Sequence, residues 1–144
     1  MKAIDHFSEA ERTQIREAIA RAEAVTSGEI RVYIEDECIG DVLDRAAFIF
    51  AKLEMDKTEE RSGVLIYLAL AHRKFAILGD AGIHPKVGDD FWKSIKEMML
   101  LQFKENKFTE GFVVGIGAAG EALKQHFPHQ DNDKNELSDD VVFG

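Results

Sequence analysis

The chain of 144 residues has one cysteine, Cys38, so it can form no intramolecular disulfide and no cysteine-rich zinc site. Basic residues are also scarce. Eighteen Lys and Arg stand against 27 Asp and Glu, a formal net charge of −9. That balance argues against nucleic acid, whose phosphates need clustered Lys and Arg, and against an anionic membrane surface. Long apolar runs are missing: the longest, residues 64–71, falls far short of the ~20 needed to span a bilayer. The opening Met1-Lys2-Ala3-Ile4-Asp5-His6 carries acid and polarity where a signal peptide needs an apolar stretch. These absences lead to the expectation of a soluble, cytoplasmic protein with no membrane insertion. Hydrophobic residues make up 45% of the chain, enough for a core, and the length suits one domain.

What is present alternates between helix and strand patterns. Ser8 and Glu11 have capping-box spacing, and Ile15, Ala18, Ile19 and Ala22 then recur on one helical face. Thr26-Ser27-Gly28 is expected to stop this helix, with Gly28 as a left-handed cap. Ile30, Val32 and Ile34 alternate with Arg31, Tyr33 and Glu35, the period of a half-buried strand. A second helix starts near Asp41. Residues 63–70 read as a strand covered on both faces, and residues 74–79 return from a short turn as an antiparallel partner. The helical connection makes the first two strands parallel. Two further helices follow, one behind Asp89-Asp90 and one with Thr109 as a candidate cap. The pattern predicts an α/β sandwich: a small mixed sheet of two parallel strands and an antiparallel hairpin strand, flanked by about four helices. Residues 1–128 form the expected domain, and residues 129–144 an acidic tail carrying −4 of the charge.

Several motifs carry less chemistry than their letters suggest. Gly115-Ile116-Gly117-Ala118-Ala119-Gly120 matches a dinucleotide fingerprint, but no strand precedes it. Small residues there are expected to admit a neighbouring element at close range. Asp131-Asn132-Asp133-Lys134-Asn135 resembles the start of an EF-hand loop, yet Glu136 stands where Gly is needed and Val142 where Glu is needed. Nothing fixes a base beside Cys38.

The acidic residues are more informative. In the predicted topology Glu29, Arg61-Ser62-Gly63 and Gly79-Asp80 share one end of the sheet. Two carboxylates, a hydroxyl and exposed carbonyls are oxygen donors of the kind Ca²⁺ or Mg²⁺ takes. The alternative is that Glu29 pairs with Arg61 while Asp80 caps a turn. Asp44, three residues after Asp41, reads as the third residue of a helix whose N-cap is Asp41, at the opposite end of the sheet.

Thr26-Ser27-Gly28-Glu29-Ile30-Arg31-Val32, Asp44-Arg45-Ala46, Arg61-Ser62-Gly63 leading the second strand, Gly79-Asp80-Ala81-Gly82-Ile83, Phe91-Trp92, Gly120 and Asn135-Glu136-Leu137-Ser138 occur in an order that resembles the TPM domain family. That family is named for thylakoid-lumen, photosystem II repair and nematode receptor-associated members, and the resemblance runs from Phe7 to the tail. It implies an α/β/α sandwich, and a divalent-cation-binding module for Ca²⁺, or alternatively Mg²⁺ or another divalent ion. Glu29, Asp80 and Asp44 are the metal ligands it favours. A plant member described as an acid phosphatase makes metal-dependent phosphatase activity the second expectation. Such activity would have to be metal-assisted, since the chain has neither a P-loop nor a Cys-x5-Arg motif. A third is a protein interaction module, with Val141-Val142-Phe143 as a docking peptide for an unidentified partner. Many bacterial members carry a signal peptide and a membrane helix, so this chain resembles a stand-alone version. Ser62 stands where the group commonly has Asn.

Overall fold

The computed structural model of the protein describes residues 2–83, 87, 90–129 and 137–144. Its centre is a strand pair, β1 (Glu29–Glu35) and β2 (Gly63–Ala69), running parallel with Glu29 opposite Gly63 and Glu35 opposite Ala69. β3 (Lys74–Gly79) folds back antiparallel on β2, placing Gly79 opposite Val64. β4 (Val142–Phe143) adds a parallel strand on the far side of β1, completing the order β3-β2-β1-β4. This fourth strand goes beyond the expected three. Val141-Val142-Phe143, read above as a docking peptide, lies on the edge of its own sheet, and Gly144 donates its N–H to the Ile34 carbonyl at 2.9 Å. Phe143 also meets the Phe7 ring at 5.9 Å.

Alternation along the strands divides the core in two. Ile30, Val32, Ile34, Val64, Ile66, Leu68 and Ile77 face three helices, α1 (Glu9–Glu23), α3 (Lys93–Lys104) and α4 (Phe108–Lys124). Tyr33, Leu65, Tyr67 and Ala76 face the other way, onto Ala46, Ile49 and Phe50 of α2 (Val42–Lys52). Every residue of β2 is buried, as a strand covered on both faces must be. The layers are those of an α/β/α sandwich, with α2 the principal cover of its face.

Local signals explain most of the element ends. Ser8 and Glu11 form the reciprocal box, each side chain taking the other's amide at 3.0 Å. Asp41 caps α2 by accepting from Leu43 at 2.8 Å and Asp44 at 3.1 Å. Two expected caps turn out differently. Gly28 has no positive φ; α1 ends in right-handed geometry at Ala24, and the turn is held by Thr26, whose hydroxyl donates to the Phe127 carbonyl and accepts from Gly28. Thr109 lies inside the first turn of α4, where its hydroxyl bonds the Glu11 carboxylate of α1 at 2.9 Å. The glycine-rich stretch of α4 is a packing surface. A Cβ on Gly115 would collide with Met99, and one on Gly120 would lie 2.8 Å from the Ala22 Cβ. α3 begins at Lys93, and Asp89 falls outside the described residues.

Candidate functional site

The parallel pair and the returning hairpin bring Glu29, Gly63 and Asp80 to one end of the sheet, as the sequence implied. Glu29 donates its N–H to the Ser62 carbonyl at 3.2 Å, and Asp80 donates to the Gly63 carbonyl at 2.9 Å. Both carboxylates are buried, at 3% and 6% exposure. Their side chains are nonetheless engaged on different partners. Arg61 forks onto Asp80, with Nε and Nη2 each 2.8 Å from a carboxylate oxygen, and Asp80 also accepts from the Ala81 amide at 2.7 Å. Arg61 reaches it from a left-handed backbone, φ 52°, where its carbonyl takes the Gly82 amide. The turn-capping role weighed for Asp80 is present, but the arginine it shares the turn with pairs with Asp80 and not with Glu29.

Glu29 turns to the C-terminal segment, accepting from the Leu137 amide at 2.6 Å. Beside it lies Glu23, from the last turn of α1, whose Oε2 accepts the Ile30 amide at 2.9 Å. Burial, a side-chain hydrogen bond to Asp139, and the charges of Asp139 and Glu29 push the Glu23 carboxyl up to about 9, against the lowering pull of the Ile30 amide. Glu23 therefore keeps its proton at neutral pH and shares a hydrogen bond with Asp139. Three acids thus come from three places in the chain: the end of α1, the start of β1 and the segment that leads into β4. Among the described residues no three His, Cys, Asp or Glu side chains are set around one point as metal ligands.

Asp44 stands apart. It lies in the first turn of α2, exposed, and α2 follows the opposite end of β1. Its amide is one of the two that Asp41 caps. The EF-hand-like residues 131–136 and His84 fall outside the described residues.

The end of β1 near α2 holds a cluster that sequence reasoning missed. Arg45 grips Glu35 with two bonds, Nε at 2.8 Å and Nη2 at 2.9 Å, and the Tyr67 hydroxyl donates to the same carboxylate. Burial opposes ionisation of Glu35, but the arginine and the hydroxyl outweigh it and hold the carboxyl below its ordinary range. Burial and the Glu35 carboxylate push the Tyr67 hydroxyl well above the usual tyrosine range. Cys38 is buried next to this cluster, its backbone clasped by His72 Nδ1 and by Lys74, whose Nζ lies 3.0 Å from the Cys38 carbonyl. The available signal was parity: Glu35 shares the strand face of Tyr33, which packs on α2, and Arg45 lies one turn beyond the Asp41 cap.

The TPM domain family model matches residues 3–122. The chain belongs to the TPM domain family. Among solved structures it is similar to the BA42 protein of the psychrophilic bacterium Bizionia argentinensis, determined by NMR, at 43% identity and a TM-score of 0.91, over 96% of this chain and 95% of that one. Two more distant likenesses concern the fold alone. The N-terminal domain of a P. gingivalis protein shares 18% identity at a TM-score of 0.70, covering 88% of this TPM domain chain and 83% of the other. The N-terminal domain of the cg2496 protein of Corynebacterium glutamicum shares 13% at 0.64, covering 96% and 82%. No curated protein matches the sequence. No helix among the described residues is long and apolar enough to cross a membrane.

Proposed function

We propose that this TPM domain binds a divalent cation, Ca²⁺ in the first instance, at the acidic end of β1, where Glu29, Glu23 and Asp139 would close around the ion from positions that do not by themselves form a ligand set. The observation that carries the reading is the convergence of three acids at this end: half-buried Glu23, at the end of α1, lies beside Asp139 and Glu29, and burial together with these two acids pushes its carboxyl up to about 9, so that it holds a proton. A hard dication satisfies the same oxygens by replacing that proton, and oxygen-only donors are what Ca²⁺ and Mg²⁺ select. Asp80 contributes charge to this end of the sheet, while both of its oxygens serve Arg61. Asp44 has no part in the proposed site.

The test is a titration of the full chain with CaCl₂, followed through backbone amide shifts. The expected changes concentrate at residues 23, 29–30 and 137–139, and Glu23→Gln with Asp139→Asn removes them. Calorimetry in two buffers of different ionisation enthalpy should show proton release on binding at pH 7. Shifts concentrated at 61–63 and 79–83 would move the ion to Asp80. Small uniform shifts over the acidic surface would leave only nonspecific attraction. The phosphatase expectation rests on family resemblance alone, and p-nitrophenyl phosphate hydrolysis that rises with the metal and disappears in Glu29→Gln is its assay.

A further inference from the structure

Helix α2 is apolar on two sides. Its inner face, Ala46, Ile49 and Phe50, packs on the sheet. At about 100° per residue, Leu43, Asp44, Ala47, Phe48 and Ala51 share the outer arc. All five are exposed. Leu43 is 52% accessible and Phe48 58%, and Ile39, in the loop before the helix, is 88% accessible. Phe48 is also held in place, because the Arg45 guanidinium sits 5.3 Å from its ring centroid and is itself locked on Glu35. An aromatic fixed in advance loses little entropy when a partner covers it, which is the property of an interface anchor. Scattered exposed apolar residues need no explanation, but a whole outer helix face carrying only one charge does.

We propose that two copies of this chain associate through the outer faces of α2, packed antiparallel about a two-fold axis near Ala47 and Phe48. The helix carries the complement to itself. Two large residues, Leu43 and Phe48, alternate with two small ones, Ala47 and Ala51, so the large residues of one copy fit over the small ones of the other. Charge gives the same orientation. Asp41 and Asp44 mark the N-terminal end and Lys52 the last turn. Antiparallel pairing sets the Leu43-Asp44 end of one helix beside the Ala51-Lys52 end of its mate, matching acid with base. Parallel pairing would set like charges together. The net charge of −9 on each copy opposes the encounter, so the association is a weak one.

Sedimentation velocity on the full chain, from about 10 μM to about 1 mM, covers the range of weak complexes. The weight-average mass should climb from 16.2 kDa toward twice that value. Phe48→Glu should weaken association by about tenfold or more, with circular dichroism and melting unchanged because the side chain is exposed. Ala47→Arg, which fills the small-residue hollow, is the second variant should the first fail to fold. Asp44→Lys and Lys52→Glu should each weaken association, and the double variant should restore it. A monomer at every concentration overturns the proposal, and binding of a basic protein segment would then be the use of this face. A dimer indifferent to both Phe48→Glu and Ala47→Arg overturns it as well. A double variant weaker than either single one overturns the antiparallel arrangement.

Discussion

β1 begins on Glu29 and ends on Glu35, both buried on the same face of the strand, and the two ends balance their charge in opposite ways. At Glu35 a guanidinium and a phenol converge on one carboxylate, which stays ionised. At Glu29 the described surroundings include the acids Glu23 and Asp139 and the Leu137 amide, and Glu23 is driven to keep its proton. The first end is complete without any added ion. The second gathers carboxyl groups that raise one another's pKa in a poorly solvated site, a repulsion that the proposed cation would relieve. This contrast separates a structural ion pair from a candidate site more clearly than burial does.

The largest effect expected from breaking the contrast is at the balanced end. Arg45→Ala leaves the Glu35 carboxylate buried with only Tyr67 to bond it. The loss should be about 3 kcal/mol in urea unfolding, at the lower edge for a broken buried pair because Arg45 keeps some solvent contact. Restoring stability with Glu35→Gln in the same chain would assign the loss to the orphaned charge. A loss under about 1 kcal/mol would place the pair with ordinary surface bridges.

At the acidic end the effect comes from added metal. An ion that binds only the folded chain, at about 100 times its dissociation constant, adds roughly 2.7 kcal/mol. That corresponds to a melting-point rise on the order of 5–10 °C for a domain of this size. Glu29→Gln should remove most of the rise, and Arg45→Ala should leave it intact. Equal rises in all three chains would detach the metal response from Glu29.

The two ends should also respond to pH with opposite signs. Glu23 holds its proton in the folded chain to about 9. The unfolded chain releases it near 4.5, so between these values the folded state binds more protons and stability falls as pH rises. Glu35 is held low, so its contribution is present above the unfolded value and is lost as pH falls below about 4.5. Glu23→Gln should therefore gain on the wild type by about 1–2 kcal/mol at pH 8, a discounted figure for a partly exposed group. The gain should shrink toward pH 5. Parallel stability curves from pH 5 to 9 would mean that Glu23 ionises normally in the fold.

The sequence disclosed features whose partners lie close along the chain or repeat with a fixed period. The Ser8–Glu11 box, the Asp41 cap, the alternation of β1 and the continuous apolar run of β2 are of this kind. So is the convergence of Glu29 and Asp80 at one end, which follows from one helical crossover and one tight turn. Choice among distant partners was not legible. Arg61 had two acids within the predicted neighbourhood. Its left-handed backbone and the short turn through Gly82 aim it at Asp80, and neither is visible in a pattern of residue types. Glu29 meets Leu137 across 108 residues, and nothing local in residues 137–144 states that they close the sheet. Glu23 follows Ile19 by one turn, on the apolar face of α1, and an acid in that position was the overlooked sign of a half-buried carboxyl.

Asp44 provides the smallest expected effect and the sharpest check on where the comparison applies. Family resemblance places it with Glu29 and Asp80, whereas the fold sets it in the first turn of α2, beyond the Glu35 end of β1. In that position a carboxylate interacts with the unpaired amides and the positive end of the helix dipole, in contact with solvent. Such an interaction amounts to about 0.3–1 kcal/mol at low ionic strength and fades as salt is added. Asp44→Asn should therefore cost a few tenths of a kcal/mol in low salt, measured at a protein concentration low enough to keep the chain monomeric, and less still at high salt. The Asp41 cap should survive, because it depends on the Asp44 amide and not on its side chain. Added Ca²⁺ should raise the melting temperature of this variant as much as that of the wild type. A substantial loss of the Ca²⁺ response in Asp44→Asn would instead place an ion at the α2 end, near Asp36, Glu37 and Asp41, and the division of β1 into a balanced end and a cation-seeking end would fail.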